Sequence, residues 1–268
     1  MANLLKAMPS FEGVAVGAKA TARLPVGLTY RQLFINHLRS GVAATEAQMK
    51  AEIEDIRLLI DGNVVIEASA TELLDLYKYY GYTVQNGQIP LIFSRPWART
   101  INGEDALAYG TKDVQTMSLE VNIASGATSP ALALNAVQSA PTNLGQHVVI
   151  KRFSRSAAGA GVLEEANLPR GPYGLLAIHA SSSALTDVQV LANERIVWEG
   201  DASLATQLDH LTGKVSQSGY FHINFANTDR VGDNLPLNLE DFRIKSTFSG
   251  PSTFKYILER IDSFVPGN

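Results

Sequence analysis

The sequence predicts an all-β chain built as two tandem eight-stranded jelly rolls, with short helices in the loops. Three observations carry that prediction: a long internal repeat, strand-like alternation in the segments around it, and a regular supply of Gly/Pro turns. The repeat sets the plan. Sliding the chain by 132 residues lays Ile53–Phe93 on Leu185–Phe225, with ten of 41 positions identical. Among them are Asp55/Asp187, Val65/Val197, Glu67/Glu199, Leu76/Leu208, Gly81/Gly213 and Gly87/Gly219; composition alone would give about two or three. A period near half the chain points to two homologous domains rather than a solenoid of short repeats.

Each copy has the same local grammar. In the first, apolar-rich runs at 55–60 and 63–67 flank Asp61-Gly62, a pair that accepts positive φ and suits a tight hairpin. Ser69 and Glu72 form a capping box for a helix with Leu73, Leu76, Tyr77 and Tyr80 as its apolar stripe, and Gly81 ends it. In the second, Asp201 takes the cap, Leu204, Leu208 and Leu211 the stripe, and Gly213 the stop. Both copies then pass a glycine (Gly87, Gly219) into a strand, 89–93 or 221–225.

The flanking segments follow. Residues 1–14 read as an N-terminal arm, with Leu4, Leu5, Met8 and Phe11 around Lys6. Residues 14–23 read as a strand leading to the turn Leu24-Pro25-Val26-Gly27 and the apolar run 30–35. That turn recurs as Leu168-Pro169-Arg170-Gly171 at an offset of 144 residues. The extra 12 residues place an insertion at 40–52 of the first copy, where Thr45 and Gln48 form a second capping box. Residues 117–123 alternate Met, Leu, Val and Ile with polar residues, the period-2 mark of a half-buried strand; 241–247 is its counterpart. Strands at 132–137, 148–155 and 254–261 complete the set. The loop 139–145, with Pro141 and Gly145, is the best boundary. The domains are thus an arm over 1–14, a first jelly roll over 15–142 and a second over 143–268.

Composition narrows function. The chain has 268 residues, 46% hydrophobic and 18% charged, a formal net charge of −4 and no cysteine. It is globular, has no run of 18 apolar residues to span a bilayer, no thiolate metal site and no broad basic surface for direct nucleic-acid binding. His37, His147, His179, His210 and His222 lack HExxH or His-x-His spacing, so a metal-binding bicupin lacks its ligands; His37 and His179, at equivalent strand ends, read as structural. Gly159-Ala160-Gly161 lacks the third glycine of a dinucleotide loop, and neither a Walker lysine nor a Gly-x-Ser-x-Gly elbow is present. No catalytic or cofactor-binding set emerges. Asn227, Asp229, Asp233 and Asn234 are weak candidates for a structural calcium site, set against a solvated turn. Arg95-Pro96-Trp97-Ala98-Arg99 could bind a sugar or a partner, or pack Trp97 in a core. Lys151, Arg152 and Arg155 read as an exposed strand face. Trp198, in the repeated hairpin, reads as core.

The duplicated Leu-Pro-x-Gly turn, the Ala177-Ile178-His179 run and the paired hairpin–helix units together resemble the major capsid proteins of tailless, internal-membrane icosahedral bacteriophages, the corticovirus type above all. The resemblance runs from about Val14 to Phe264. It implies a double jelly roll whose chains form homotrimers with near-hexagonal outline, tiling an icosahedral shell around a lipid membrane. It further implies a place in the virion, with neighbouring capsomers and minor capsid and vertex proteins as partners; the arm's apolar residues could dock on a neighbouring subunit or touch the internal membrane, set against a frayed terminus. No enzymatic activity is implied, and calcium is an optional structural ion. The rival readings are a double jelly-roll glycan-active enzyme, which would need paired carboxylates and aromatic platforms, and a carbohydrate-binding protein.

Overall fold

The computed structural model describes residues 3–95, 101–228 and 230–263, without the side chains of 101 and 102. The chain divides into two compact units. Unit 1 takes the chain up to Lys78 together with Tyr82–Ile150; unit 2 takes Tyr79–Gly81 and Lys151–Asp262. By its contacts, the stretch up to Ile150 groups with unit 1, so β10 runs from one unit into the other.

Unit 1 runs β1 (Leu4–Ala7), β2 (Lys19–Leu24), β3 (Thr29–Arg39), β4 (Val42–Ala43), α1 (Glu46–Glu52), β5 (Ile53–Ile60), β6 (Asn63–Ala68), α2 (Ala70–Tyr79), β7 (Gln88–Ile92), α3 (Ile101–Asp105), β8 (Met117–Ile123), β9 (Pro130–Ser139) and the start of β10 (Gln146–Ala157). One of its sheets is ordered β1-β9-β3, with β7 and the short β4 also on β3; the other is ordered β2-β8-β5-β6. Pairing in both is antiparallel. The exception is one parallel bridge, Ile150 to Ile66, on the outer edge of β6.

Unit 2 continues with the rest of β10, then β11 (Gly161–Glu165), β12 (Gly174–Ala180), β13 (Leu185–Ala192), β14 (Arg195–Asp201), α4 (Ala202–Leu211), β15 (Phe221–Asn224), β16 (Leu235–Pro236), β17 (Phe242–Phe248) and β18 (Ser252–Ser263). Its strands are ordered β10-β18-β12-β15, with β16 also on β12, and β11-β17-β13-β14. Leaving aside the two-residue strands β4 and β16, this repeats unit 1: two four-stranded layers with the same connectivity, which is the jelly-roll order. Each unit has its own apolar core. Leu33, Ile35, Ile56, Leu58, Leu119 and Val121 are central to the first. Ile178, Val188, Val190, Ile244, Tyr256 and Leu258 are central to the second.

The local grammar is realised closely. β5 and β13, and α2 and α4, coincide residue for residue at the 132-residue offset. The hairpins turn through two residues at positive φ, Asp61 (47°) and Gly62 (79°) in one copy, Asn193 (48°) and Glu194 (64°) in the other. Ser69 and Glu72 exchange both capping-box bonds, at 2.7 and 3.2 Å, and Thr45 with Gln48 does the same for α1. Asp201 accepts from the Leu204 amide at 2.7 Å. β8 and β17 alternate buried and half-buried residues without a break, so one row of each enters the core.

Several expectations need correction. The arm expected over 1–14 is folded: β1 pairs antiparallel with β9, Leu4 opposite Gln138 and Ala7 opposite Asn135, and Phe11 is buried in the first core. Four residues without alternation give no periodic signal, and their partner lies more than 120 residues away. The short strands β4, β11 and β16 likewise give too few residues for a periodic signal. The stripe of α4 is also turned: Ala205 and Asp209 are its buried residues, while Leu204 and Leu211 are exposed. On α2, Leu74 and Tyr79 are fully buried beside Leu73 and Leu76, whereas Tyr77 and Tyr80 are half-buried.

Candidate assembly surface

A protein that works by packing against copies of itself is read from its edges and exposed apolar side chains rather than from a catalytic cleft. In unit 2 several of those features gather on the β14–α4 segment, while Val162 on β11, the other end strand of that sheet, is also exposed. β14 is the end strand of its sheet, so one row of its backbone N–H and C=O groups has no ladder partner there. Ile196 and Val197 on β14 are exposed, as are Leu204 and Leu211 on the α4 helix that follows it, and Val215 just beyond. The same positions in unit 1 are built differently. Val65 is 7% exposed and its repeat partner Val197 is 39% exposed. Ile66, the counterpart of Trp198, carries the parallel bridge to Ile150 on β10.

Unit 1 has its own free edge. β1 is an end strand, and all four of its residues are exposed, Leu5 by 72%. It holds the place in its sheet that β10 holds in unit 2, next to the long closing strand, β9 or β18. Apolar Leu4 and Leu5 were visible in the sequence, but their role as an edge strand was not.

The histidines are organised but structural in character. In unit 2, His179 and His222 face each other through their Nδ1 atoms at 2.6 Å. The Gln217 amide donates to His222 Nε2 at 3.2 Å. His222 must then carry its proton on Nδ1 and donate it to His179, whose Nε2 proton is directed at Glu259 Oε1, 3.2 Å away. Tyr80 donates to the other Glu259 oxygen at 2.8 Å. Tyr79 stacks on His222 with ring centroids 4.2 Å apart and donates to Asp209 Oδ1, while Ser216 donates to Oδ2, both at 2.7 Å. Burial holds the His222 imidazole well below its usual range, with the neighbouring His179 acting in the same direction. Burial also raises Asp209 and Tyr79. Both nitrogens of His222 and both oxygens of Asp209 are thus committed to protein partners. The cavity of about 200 Å³ beside them, also lined by Trp198, meets groups already engaged. In unit 1, buried His37 has Nε2 3.1 Å from Glu52 Oε2, and its basicity is lowered first by burial.

The remaining sequence candidates are dispersed. Asp233 accepts from Thr228, and Asn234 donates to the Val231 carbonyl at 2.7 Å. Asn227 is half-buried at the rim of the cavity near His222. Asp229 lies outside the described residues, as do Pro96, Trp97, Ala98 and Arg99. Among the described residues no three His, Asp or Glu side chains come together as metal ligands would. Lys151, Arg152 and Arg155 are half-buried rather than an open basic face, and Arg155 is paired with Glu165. Trp198 is partly buried, edge-on to Phe221 at 5.7 Å.

Two family models match in tandem: the N-terminal domain of viral coat protein P2 over residues 5–139, and its C-terminal domain over 149–264. The chain belongs to the viral coat protein P2 family. It is a structural coat protein of the virion shell, and the glycan-active enzyme reading gives way to that identity. The fold of this coat protein is shared with the major capsid protein P2 of bacteriophage PM2, at 19% identity over the whole of both chains and a TM-score of 0.91. It is shared more distantly with the STIV major capsid protein (10% identity, 97% of both chains, TM-score 0.69) and the PBCV-1 virus capsid (11% identity, 99% of this chain and 95% of that one, TM-score 0.65). No curated protein matches the chain.

Proposed function

We propose that this coat protein assembles as a homotrimer, and that its trimers tile an icosahedral shell around an internal membrane, alongside minor capsid and vertex proteins. One observation carries the reading: a single chain presents the same eight-strand order twice. Three such chains related by a closed threefold axis supply six similar barrels, which is how a trimer acquires a near-hexagonal outline suited to tiling. The exposed apolar residues of β14 and α4, together with the free edge of β1, offer surface that association would cover.

Light scattering across a concentration series tests the reading. The expected result is a species of three chain masses, with near-hexagonal particles in electron micrographs; a monomer at every concentration overturns it. No cofactor is required, so EDTA should leave the trimer intact. A fall in Tm on chelation, reversed by calcium, would instead place the ion at the loop of Asn227, Asp229, Asp233 and Asn234.

A further inference from the structure

We infer that Asp187 and Glu199, on the outer face of the β11-β17-β13-β14 sheet, are a receptor for an arginine side chain of a second copy of the chain. The inference rests on the self-assembling reading above and names one contact by which copies recognise each other. Its warrant is the internal repeat, in which the same two carboxylates already hold a guanidinium.

Asp55/Asp187 and Glu67/Glu199 are identical pairs at the 132-residue offset. In unit 1, Arg57 stands between its two carboxylates: Nε lies 2.9 Å from Asp55 Oδ2, and Nη2 donates to Glu67 Oε1 at 3.0 Å. Residues 55 and 57 share one side of β5, and Glu67 faces Arg57 directly across the hairpin. The planar fork of a guanidinium suits such a pair of carboxylates.

In unit 2 the arginine's position is taken by Gln189, and Asp201 replaces Ser69. Gln189 donates to Glu199 Oε1 at 2.6 Å, which satisfies one oxygen and leaves the charge in place. Asp187 is exposed, sits directly opposite Asp201, and has no hydrogen-bond or ion-pair partner among the described residues. Like charges set opposite each other across a ladder destabilise it. The cations on β17 are committed elsewhere: Lys245 Nζ is 3.8 Å from Glu164, and Arg243 is paired with Glu164 and Asp241. Unit 2 has thus kept the carboxylates and lost the cation.

The surroundings fit the rest of an arginine. Asp187, Glu199 and Asp201 line an open groove of about 400 Å³ with Leu204 and Val162, both exposed. An arginine stem lies well along apolar side chains while its head meets the carboxylates. A second copy is the occupant because the neighbour a coat protein meets most often is itself, and because the chain carries the matching groups. Arg23 on β2, Arg195 on β14 and Arg230 are exposed and have no carboxylate partner among the described residues.

Copying unit 1 into unit 2 tests this. Gln189→Arg should fill the receptor from within, lowering the association constant about tenfold while the monomer's Tm holds or rises. Asp187→Asn/Glu199→Gln should lower it by a similar factor and remove part of its salt dependence, since the lost contact is ionic. One of Arg23→Gln, Arg195→Gln and Arg230→Gln should reproduce that loss and so identify the donor. If the wild type forms trimers and the Gln189→Arg and Asp187→Asn/Glu199→Gln proteins associate just as tightly, the receptor is wrong while the trimer stands. If these two weaken but all three arginine variants associate normally, the cation is not an arginine of a second copy and the inference fails. If the wild type never leaves the monomer, the trimer reading falls, and the second copy as occupant with it.

Discussion

The hairpin–helix units β5-β6-α2 and β13-β14-α4 are the same design placed in two neighbourhoods. Turn, cap, helix length and stop agree position by position, because those features are set by residues within a few places of one another: Asp61-Gly62 and Asn193-Glu194, Ser69 and Asp201, Gly81 and Gly213. Burial does not agree. Val65 is inside where Val197 is exposed, and Ile66 is inside where Trp198 is half-buried. The final helix residue is Tyr79 in one copy, fully buried, and Leu211 in the other, 73% exposed. Duplication preserved what is local; what differs is what stands next to it.

The contrast can be broken most visibly at the helix ends. Tyr79→Ala removes a buried ring, its stacking on His222 and its bond to Asp209, and should cost about 3–5 kcal/mol. Leu211→Ala, at the equivalent exposed position, should cost under about 0.5 kcal/mol. Urea unfolding at concentrations below assembly checks both; equal costs would show that the two copies share one environment after all.

Acid should act next, through the buried histidines of both units. The folded forms of His222 and His37 hold a proton less readily than the unfolded chain. The unfolded state therefore binds more protons as pH falls below about 6.5, and stability drops, by at most about 1.4 kcal/mol per pH unit for each histidine. Asp209, raised by burial, works in the opposite sense and only nearer the ordinary carboxylate range. The His222 ring has no acceptor left for a second proton, since Nδ1 faces His179 and Nε2 receives the Gln217 amide. Unfolding measured from pH 7.5 to 5 should show this slope, and His222→Phe should flatten it; an unchanged slope would exclude His222 as a contributor.

The smallest effect sharpens the comparison of the turns. Glu194 sits at φ 64° where the first copy has Gly62 at 79°. Glu194→Gly should stabilise the protein by about 0.5–1 kcal/mol, because a side chain resists that conformation. Gly62→Glu should destabilise by a similar amount, and melting curves of the two variants should move in opposite directions.

What the sequence disclosed follows the same line. The repeat, the capping boxes and the alternation of Met117–Ile123 are short-range patterns, and they led to the all-β duplicated fold. β1 was missed because Leu4–Ala7 is a strand only by virtue of β9. The apolar stripe of α4 was misplaced because a helix with leucines on more than one face does not say which face will find a partner; Ala205 and Asp209 point inward, the aspartate being satisfied by Tyr79 and Ser216. The pairing of His179 with Glu259 and of His37 with Glu52 depends on residues distant in the chain, which spacing alone did not disclose. Of the candidate assembly surface, the apolar character of Leu4, Leu5, Leu204 and Leu211 could be read in advance, but not their exposure.

The covalent linkage of two jelly-roll units in one chain also bears on how quickly a capsomer could form. A coat built from single barrels would have to find six neighbours by collision to close its ring, and every encounter would forfeit translational freedom. In the proposed trimer, a chain that carries two such units in covalent tandem leaves three encounters to diffusion, with the two units of each chain already tethered at high effective concentration. Gene doubling, on this view, brought speed and fidelity of assembly as well as shape.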